Sequence, residues 1–148
     1  MEEKMRFSKV REVKTPNRGT SESAGIDFYI PVDEDVFIKP QDKALIPSGI
    51  KMDIPNGTMF QVMNKSGVAV KKGLIVGACV VDSDYQGEIM FNVWNVSNSA
   101  VSLESGTKIV QMVLVPILFP VLEQVGLERL FISDSERGSG GFGSTGLK

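Results

Sequence analysis

Histidine is absent from this 148-residue chain, and cysteine and tryptophan each occur once. With Cys79 alone and no histidine, a Ser-His-Asp triad, a Cys-His pair and the usual zinc ligand sets are excluded. Catalysis has to run on carboxylates, lysine, arginine, hydroxyls, backbone amides or an oxygen-bound metal. Cys79 cannot form an internal disulfide, and the opening stretch MEEKMRFSKV lacks the basic-then-apolar layout of a signal peptide, so a reducing, cytoplasmic setting is expected. A large excess of charge of either sign is also missing: Lys and Arg number 16 against 18 Asp and Glu, a net charge of −2, with a pI near 5.2. No broad basic surface is left for DNA or RNA. Long apolar runs are lacking as well. The stretch from Ile109 to Leu122 is broken by Gln111, Pro116 and Pro120, short of the roughly 20 residues a membrane span needs. A soluble protein without membrane or nucleic-acid partners is expected.

The 42% hydrophobic content suffices for the core of one domain. Apolar and polar residues alternate with period two through the middle of the chain, and turn residues recur every ten or so positions, the pattern of an antiparallel β domain. Ile50, Met52 and Ile54, the turn Pro55-Asn56-Gly57 and the extended Thr58 to Met63 predict one hairpin. A second is predicted from Leu74 to Val81, through the acidic turn Asp82 to Gly87, into Glu88 to Asn95, with Ile89, Phe91 and Val93 on one face. Lys108 to Val115 reads as a strand on which Gln111 shares a face with apolar neighbours, and Leu122 to Leu130 allows a short helical turn.

The chain closes on a Gly/Ser-rich tail from Ser135 to Gly146 that cannot bury a core. Such a terminus reads as a disordered extension, but Arg137 and Phe142 among its glycines suit a loop that folds over a phosphorylated ligand. Gly138 to Gly143 match G-x-G-x-x-G, yet no helix can follow so near the end, and Gly106-Thr107-Lys108 lacks the order of a phosphate-binding Walker loop. Lys65-Ser66-Gly67, Gln111 and Arg137 remain as groups able to donate to anionic oxygens. Asp82 ends an apolar strand where a pocket floor would meet a turn: it either orients and deprotonates a water or serves as an ordinary turn aspartate. Asp27, after Ala24-Gly25-Ile26, carries the same ambiguity.

These pieces resemble the five ordered motifs of the homotrimeric dUTPase family: Ala24 to Phe28, Lys65 to Ala69 with Gly73, Gly77 to Glu88, Gly106 to Met112, and Arg137 to Gly146. The resemblance implies an all-β, jelly-roll-like sandwich over residues 1–136 with a flexible lid at 137–148. It implies a homotrimer with its sites at subunit boundaries, and hydrolysis of dUTP to dUMP and pyrophosphate with Mg2+ carried on the substrate phosphates and waters rather than by protein ligands. Asp82 would then be the catalytic base and Tyr85 the steric filter against a 2′-hydroxyl. Gly77, Ala78 and Cys79 would present backbone to the base. Lys65, Ser66, Gly67 and Gln111 would meet phosphate oxygens, Arg137 with Gly143, Ser144 and Thr145 would clamp the phosphate end, Phe142 would stack on the pyrimidine, and Asp27 would support the site indirectly.

Two positions depart from the family's pattern. Lys65 stands where arginine is usual, and lysine lacks the planar two-pronged grip. Cys79 stands at or near a position where glycine is usual, so its side chain either points into the core or reshapes the base pocket toward a modified pyrimidine. The related dCTP deaminases, which would release ammonia, are disfavoured by Tyr85 and the complete tail. A trimer of this fold acting mainly by binding a regulatory partner is the alternative from another class.

Overall fold

The computed structural model describes residues 4–146; Leu147 and Lys148 of the expected lid lie outside them. The chain divides into two compact units, Met1–Leu118 and Phe119–Lys148.

In the first unit every paired strand is antiparallel. A four-stranded sheet has the order β2 (Ile26–Tyr29), β11 (Lys108–Pro116), β6 (Thr58–Asn64), β8 (Val80–Val81). A three-stranded sheet runs β4 (Lys43–Pro47), β9 (Met90–Asn95), β7 (Leu74–Val76). Two ribbons complete it, β1 (Arg6–Lys9) with β5 (Ile50–Asp53) and β3 (Val36–Ile38) with β10 (Val101–Leu103). The expected all-β, jelly-roll-like architecture holds. Alternation does the sorting: Ile89, Phe91 and Val93 are buried to 2% exposure or less because successive strand residues face opposite sides. Phe28, Phe60 and Phe91 are fully buried, and the Phe28 and Phe91 rings meet edge to face with centroids 5.5 Å apart. Such a pair adds about 0.5–1.5 kcal/mol beyond its buried area. The buried Asn95 amide donates to the carbonyls of Ile38 and Ser99 at 3.0 and 2.8 Å, fastening β9 to β3 at no unsatisfied polar cost.

Two expected hairpins need correction. Pro55-Asn56-Gly57 does turn the chain, with Thr58 N donating to Pro55 O at 3.2 Å, but β5 pairs with β1, and β6 with β11 and β8. The turn carries the chain from one sheet to another, so that Ile50 and Ile54 before it and Phe60 and Val62 after it enter the same core. The apolar run Leu74 to Val81 is likewise two strands: β7 makes the expected pairing with β9, whereas β8 leaves it for β6. One helix stands where none is expected, α1 (Ser66–Lys72), closed by Gly73 in the left-handed conformation at φ 65°. Its half-buried Val68 packs on the core, and Lys71 and Lys72 occupy its last turn, where cations complement the helix dipole.

The second unit contains the short helical turn expected near its start, a 3-10 turn at Leu127–Arg129. Its glycine-rich end is a chain of tight turns, with Gly140 N donating to Arg137 O at 3.1 Å and Ser144 N to Gly141 O at 3.0 Å.

Candidate active site

Asp27 sits on β2, one residue from the fully buried Phe28, and is itself only 4% exposed. A carboxylate so placed needs partners, and it has two: Lys65 Nζ lies 2.5 Å from Oδ1 and Lys108 Nζ 2.9 Å from Oδ2. Burial pushes the carboxyl up, but hydrogen bonds and charge from Lys65 and Lys108 outweigh it and hold the group below its ordinary value. The same contact raises Lys108. Lys65 is the extended residue that enters α1, and Lys108 opens β11. Gln111 lies between Asp27 and Met63 in the register and donates its amide to Asn64 O at 2.9 Å. Gly25 is needed beside it, since a Cβ there would overlap the Gln111 amide. Ser66 and Gly67 follow on the exposed first turn of α1, and a Cβ on Gly67 would meet nothing within 4 Å.

A second group forms where the chain passes from β7 to β8. Val76 N donates to Asn64 Oδ1 at 2.8 Å, Gly77 N to Asn92 O at 2.9 Å and Ala78 N to Asn92 Oδ1 at 3.3 Å, while Cys79 O accepts from Val62 N at 2.8 Å. Asn92 Oδ1 also accepts from Trp94 Nε1 at 3.2 Å. These two side chains fill the space a Cβ on Gly77 would take, so only glycine fits. Cys79 is half-buried and unpaired.

Beyond β8, Asp82 and Tyr85 line a cavity of about 160 Å³ with Val80, Val81, Ile89 and Met90. The turn is closed through backbone, Tyr85 N to Asp82 O at 3.2 Å. The Tyr85 hydroxyl donates to Glu88 O at 2.8 Å, and its ring covers Gly87 so closely that a Cβ there would strike it. Glu88 anchors the far end of the turn on Arg11 Nε and Gly49 N at 2.9 and 2.8 Å. A larger groove, about 500 Å³ between β1, β5 and residues 83–86, touches Ser83 and Tyr85 but not Asp82.

The dUTPase family model matches residues 11–146. The chain belongs to the dUTPase family. It is 41% identical over 140 residues to the deoxyuridine 5′-triphosphate nucleotidohydrolase of Hydrogenovibrio crunogenus, covering 92% of this chain and 89% of that one. It is 36% identical over 143 residues to the mitochondrial enzyme of Homo sapiens, covering 96% and 54%. Among solved structures, the dUTPase of Staphylococcus bacteriophage 80alpha with dUPNHPP superposes with a TM-score of 0.86 at 28% identity, covering 97% of this chain and 99% of that one. A point mutant of the phage phi11 dUTPase, 25% identical with a TM-score of 0.78 over 88% and 100%, was solved to show how a structural Mg(II) ion is coordinated.

Within this dUTPase-family chain the expected site residues fall into separate groups. Asp27, Lys65 and Gln111 come together with Ser66 and Gly67 adjoining; Gly77, Ala78 and Cys79 form the strand switch; Asp82 and Tyr85 share the cavity. The sheet register measures the gap between them. Val81 pairs with Phe60, so Asp82 falls level with Met59, while Lys65 lies just beyond the other end of β6, roughly 20 Å away at about 3.3 Å per strand residue. Arg137, Phe142, Gly143, Ser144 and Thr145 belong to the second unit; there Phe142 is fully exposed, with φ of 49°. Asn64, Asn92 and Lys108 were not singled out from sequence, although Lys108 stands inside the fourth motif. Among the described residues no three His, Cys, Asp or Glu side chains gather to hold a metal ion, and no helix is long and apolar enough to cross a membrane.

Proposed function

We propose that this chain hydrolyses dUTP to dUMP and pyrophosphate through water activated by Asp82, supplying dUMP and keeping uracil out of DNA. The observation that carries this reading is the placement of Asp82: an exposed carboxylate at the mouth of a small, partly apolar cavity that it shares with Tyr85. Asp82 accepts a proton from water as the water oxygen bonds to the α-phosphorus, and the bond from that phosphorus to the bridging oxygen breaks to release pyrophosphate. Tyr85, held by Glu88 O and backed by Gly87, packs against the deoxyribose and leaves no room for a 2′-hydroxyl. The switch at Gly77, Ala78 and Cys79 offers backbone groups to the pyrimidine edge, with the Cys79 side chain turned aside.

Ser66, Gly67, Lys65 and Gln111 form the phosphate side of the site. The open space beside Gly67 supports an anion's approach there. Mg2+ carried on the triphosphate and its waters would neutralise charge developing on the phosphates. Arg137, Phe142, Gly143, Ser144 and Thr145 act as a closing lid over terminal phosphate and base. A triphosphate does not bridge roughly 20 Å, so the two halves of the site come from neighbouring subunits of a homotrimer. Outward-facing Leu45, Ile75 and Trp94 on the three-stranded sheet, each more than a third exposed, support such contacts. The cytoplasm is the proposed setting, on the strength of the single unpaired Cys79.

A second reading, a trimer that also binds a regulatory partner, is favoured by the likeness to the phage 80alpha dUTPases, which are described as controlling transfer of virulence genes. The deciding experiment is pyrophosphate release with Mg2+ from dUTP, UTP, dTTP, dCTP and 5-substituted dUTP, with ammonia followed in parallel. Preference for dUTP without ammonia is expected. Preference for a substituted base would assign Cys79 a role in specificity, and no hydrolysis of any substrate would put the regulatory reading first.

A further inference from the structure

Lys65 has been given two partners: the phosphates of the substrate, by the reading above, and Asp27, which it holds in this structure at 2.5 Å. A lysine cannot leave a carboxylate that is 4% exposed unless something else keeps that carboxylate compensated. Lys108 meets this need. It binds Oδ2 at 2.9 Å while Lys65 binds Oδ1, so the two ammonium groups do not compete for one oxygen and either can depart without displacing the other. The Lys108 ammonium also lies 6.0 Å from the centroid of the Tyr29 ring. Lys65 borders the exposed Ser66 and moves on a flexible four-carbon stem, free of the planar constraint an arginine would have. Together the three residues carry one net positive charge beside Gln111.

We propose that Lys108 is a positioning residue for the reaction: it holds Asp27 compensated, so that the Lys65 ammonium turns from Asp27 to a substrate phosphate oxygen when the nucleotide binds. The lysine at position 65 is thereby workable, because its charge is on loan to Asp27 in the free protein and replaceable there in the complex. This rests on the reading of Lys65 as a phosphate contact. It adds a chain of consequence that the contact alone does not have: removing Lys108 traps Lys65 on Asp27, and the effect of Lys108 vanishes when Lys65 is already gone.

The test uses the full-length protein, with wild-type dUTP hydrolysis measured first; its absence would defeat the functional reading, whatever the variants do. Lys108→Met is expected to raise KM for dUTP about tenfold with kcat changed far less, and to leave binding of deoxyuridine, which has no phosphates, unaltered. Lys108→Arg should restore KM. In a Lys65→Met background, adding Lys108→Met should change KM by less than about twofold. An equal loss in that background, an equal loss of deoxyuridine binding, or an unchanged KM in the single variant would each overturn the proposal while leaving hydrolysis established. Should Lys108→Met fail to fold, 15N spectra of the lysine ammonium groups in the wild type decide the matter: dUPNHPP should move the Lys65 signal and leave that of Lys108 nearly in place. A stationary Lys65 signal would refute the exchange.

Discussion

In the proposed reaction Asp82 and Tyr85, which line one cavity, meet the nucleotide, and each assignment can be tested by a change of a few atoms. Asp82 ends β8 exposed, and its turn is closed by backbone rather than by its own carboxylate, so the charge remains available for water. Asp82→Asn keeps the shape and removes the proposed base. Turnover of dUTP is expected to fall about 10²–10⁴-fold while dUPNHPP binding, followed by calorimetry, changes little; turnover within a few-fold of wild type would rule Asp82 out as the base. Gly87 serves Tyr85 by having no side chain. In Gly87→Ala the new methyl strikes the ring and its hydroxyl, which loosens the bond to Glu88 O and shifts the ring from the place proposed for the sugar. Preference for dUTP over UTP, as the ratio of kcat/KM, should drop about tenfold or more, at a stability loss of about 1–3 kcal/mol.

At the scale of elements, β2 is an edge strand paired only with β11 in its sheet, and the Asp27 cluster clamps it to the start of β11 and to the entry of α1. Because the folded carboxyl titrates below its ordinary value of 3.8, its contribution is complete above that value and is lost as pH falls through the lower folded one. Urea midpoints measured between neutral and acid pH should therefore fall more steeply for the wild type than for Asp27→Asn, which has no carboxylate to protonate; parallel profiles would show that the clamp adds nothing to stability. The sequence revealed this region unevenly. Alternation at Ile89, Phe91 and Val93 identified a half-buried strand because burial repeats every second residue. The turn at Pro55-Asn56-Gly57 was legible from its residue types, but turn chemistry states that the chain reverses and not which strand it meets next. The break at Gly77 was hidden inside an uninterrupted apolar run, since Asn92 and Trp94, which demand it, lie on another strand. Gly73, Lys71 and Lys72 were signals of the end of α1, masked by Val68 and Val70, residues that favour strands. Asp27, Lys65 and Lys108 meet only through the register of β2, β11 and β6, and no local pattern announces such a meeting.

For the whole molecule, the proposed division of one site between Asp82 and Lys65 of neighbouring subunits makes a testable demand on assembly. Asp82→Asn and Gln111→Leu proteins, each nearly inactive, should regain activity when unfolded and refolded together, up to about a quarter of the wild-type sites by random mixing in a ring of subunits. No recovery would place both residues in one subunit's site. Removal of the residues after Glu136 should leave circular dichroism and sedimentation unchanged and lower turnover about a hundredfold, as expected when groups that position the substrate are lost; full activity in the shortened chain would contradict the lid.

The pairing of the sheets also dictates when this chain can fold. β1 waits for β5, β4 for β9, β3 for β10, and β2 and one side of β6 wait for β11, which ends at Pro116. A nascent chain still on the ribosome has its second and sixth strands synthesised long before their partner exists, with bare hydrogen-bonding edges exposed to any neighbouring chain. Closing such distant loops is slow, in the millisecond-to-second range typical of β proteins built from remote pairings. Folding of the paired sheets waits for β11, and a chain halted before it keeps the unpaired edges that favour aggregation.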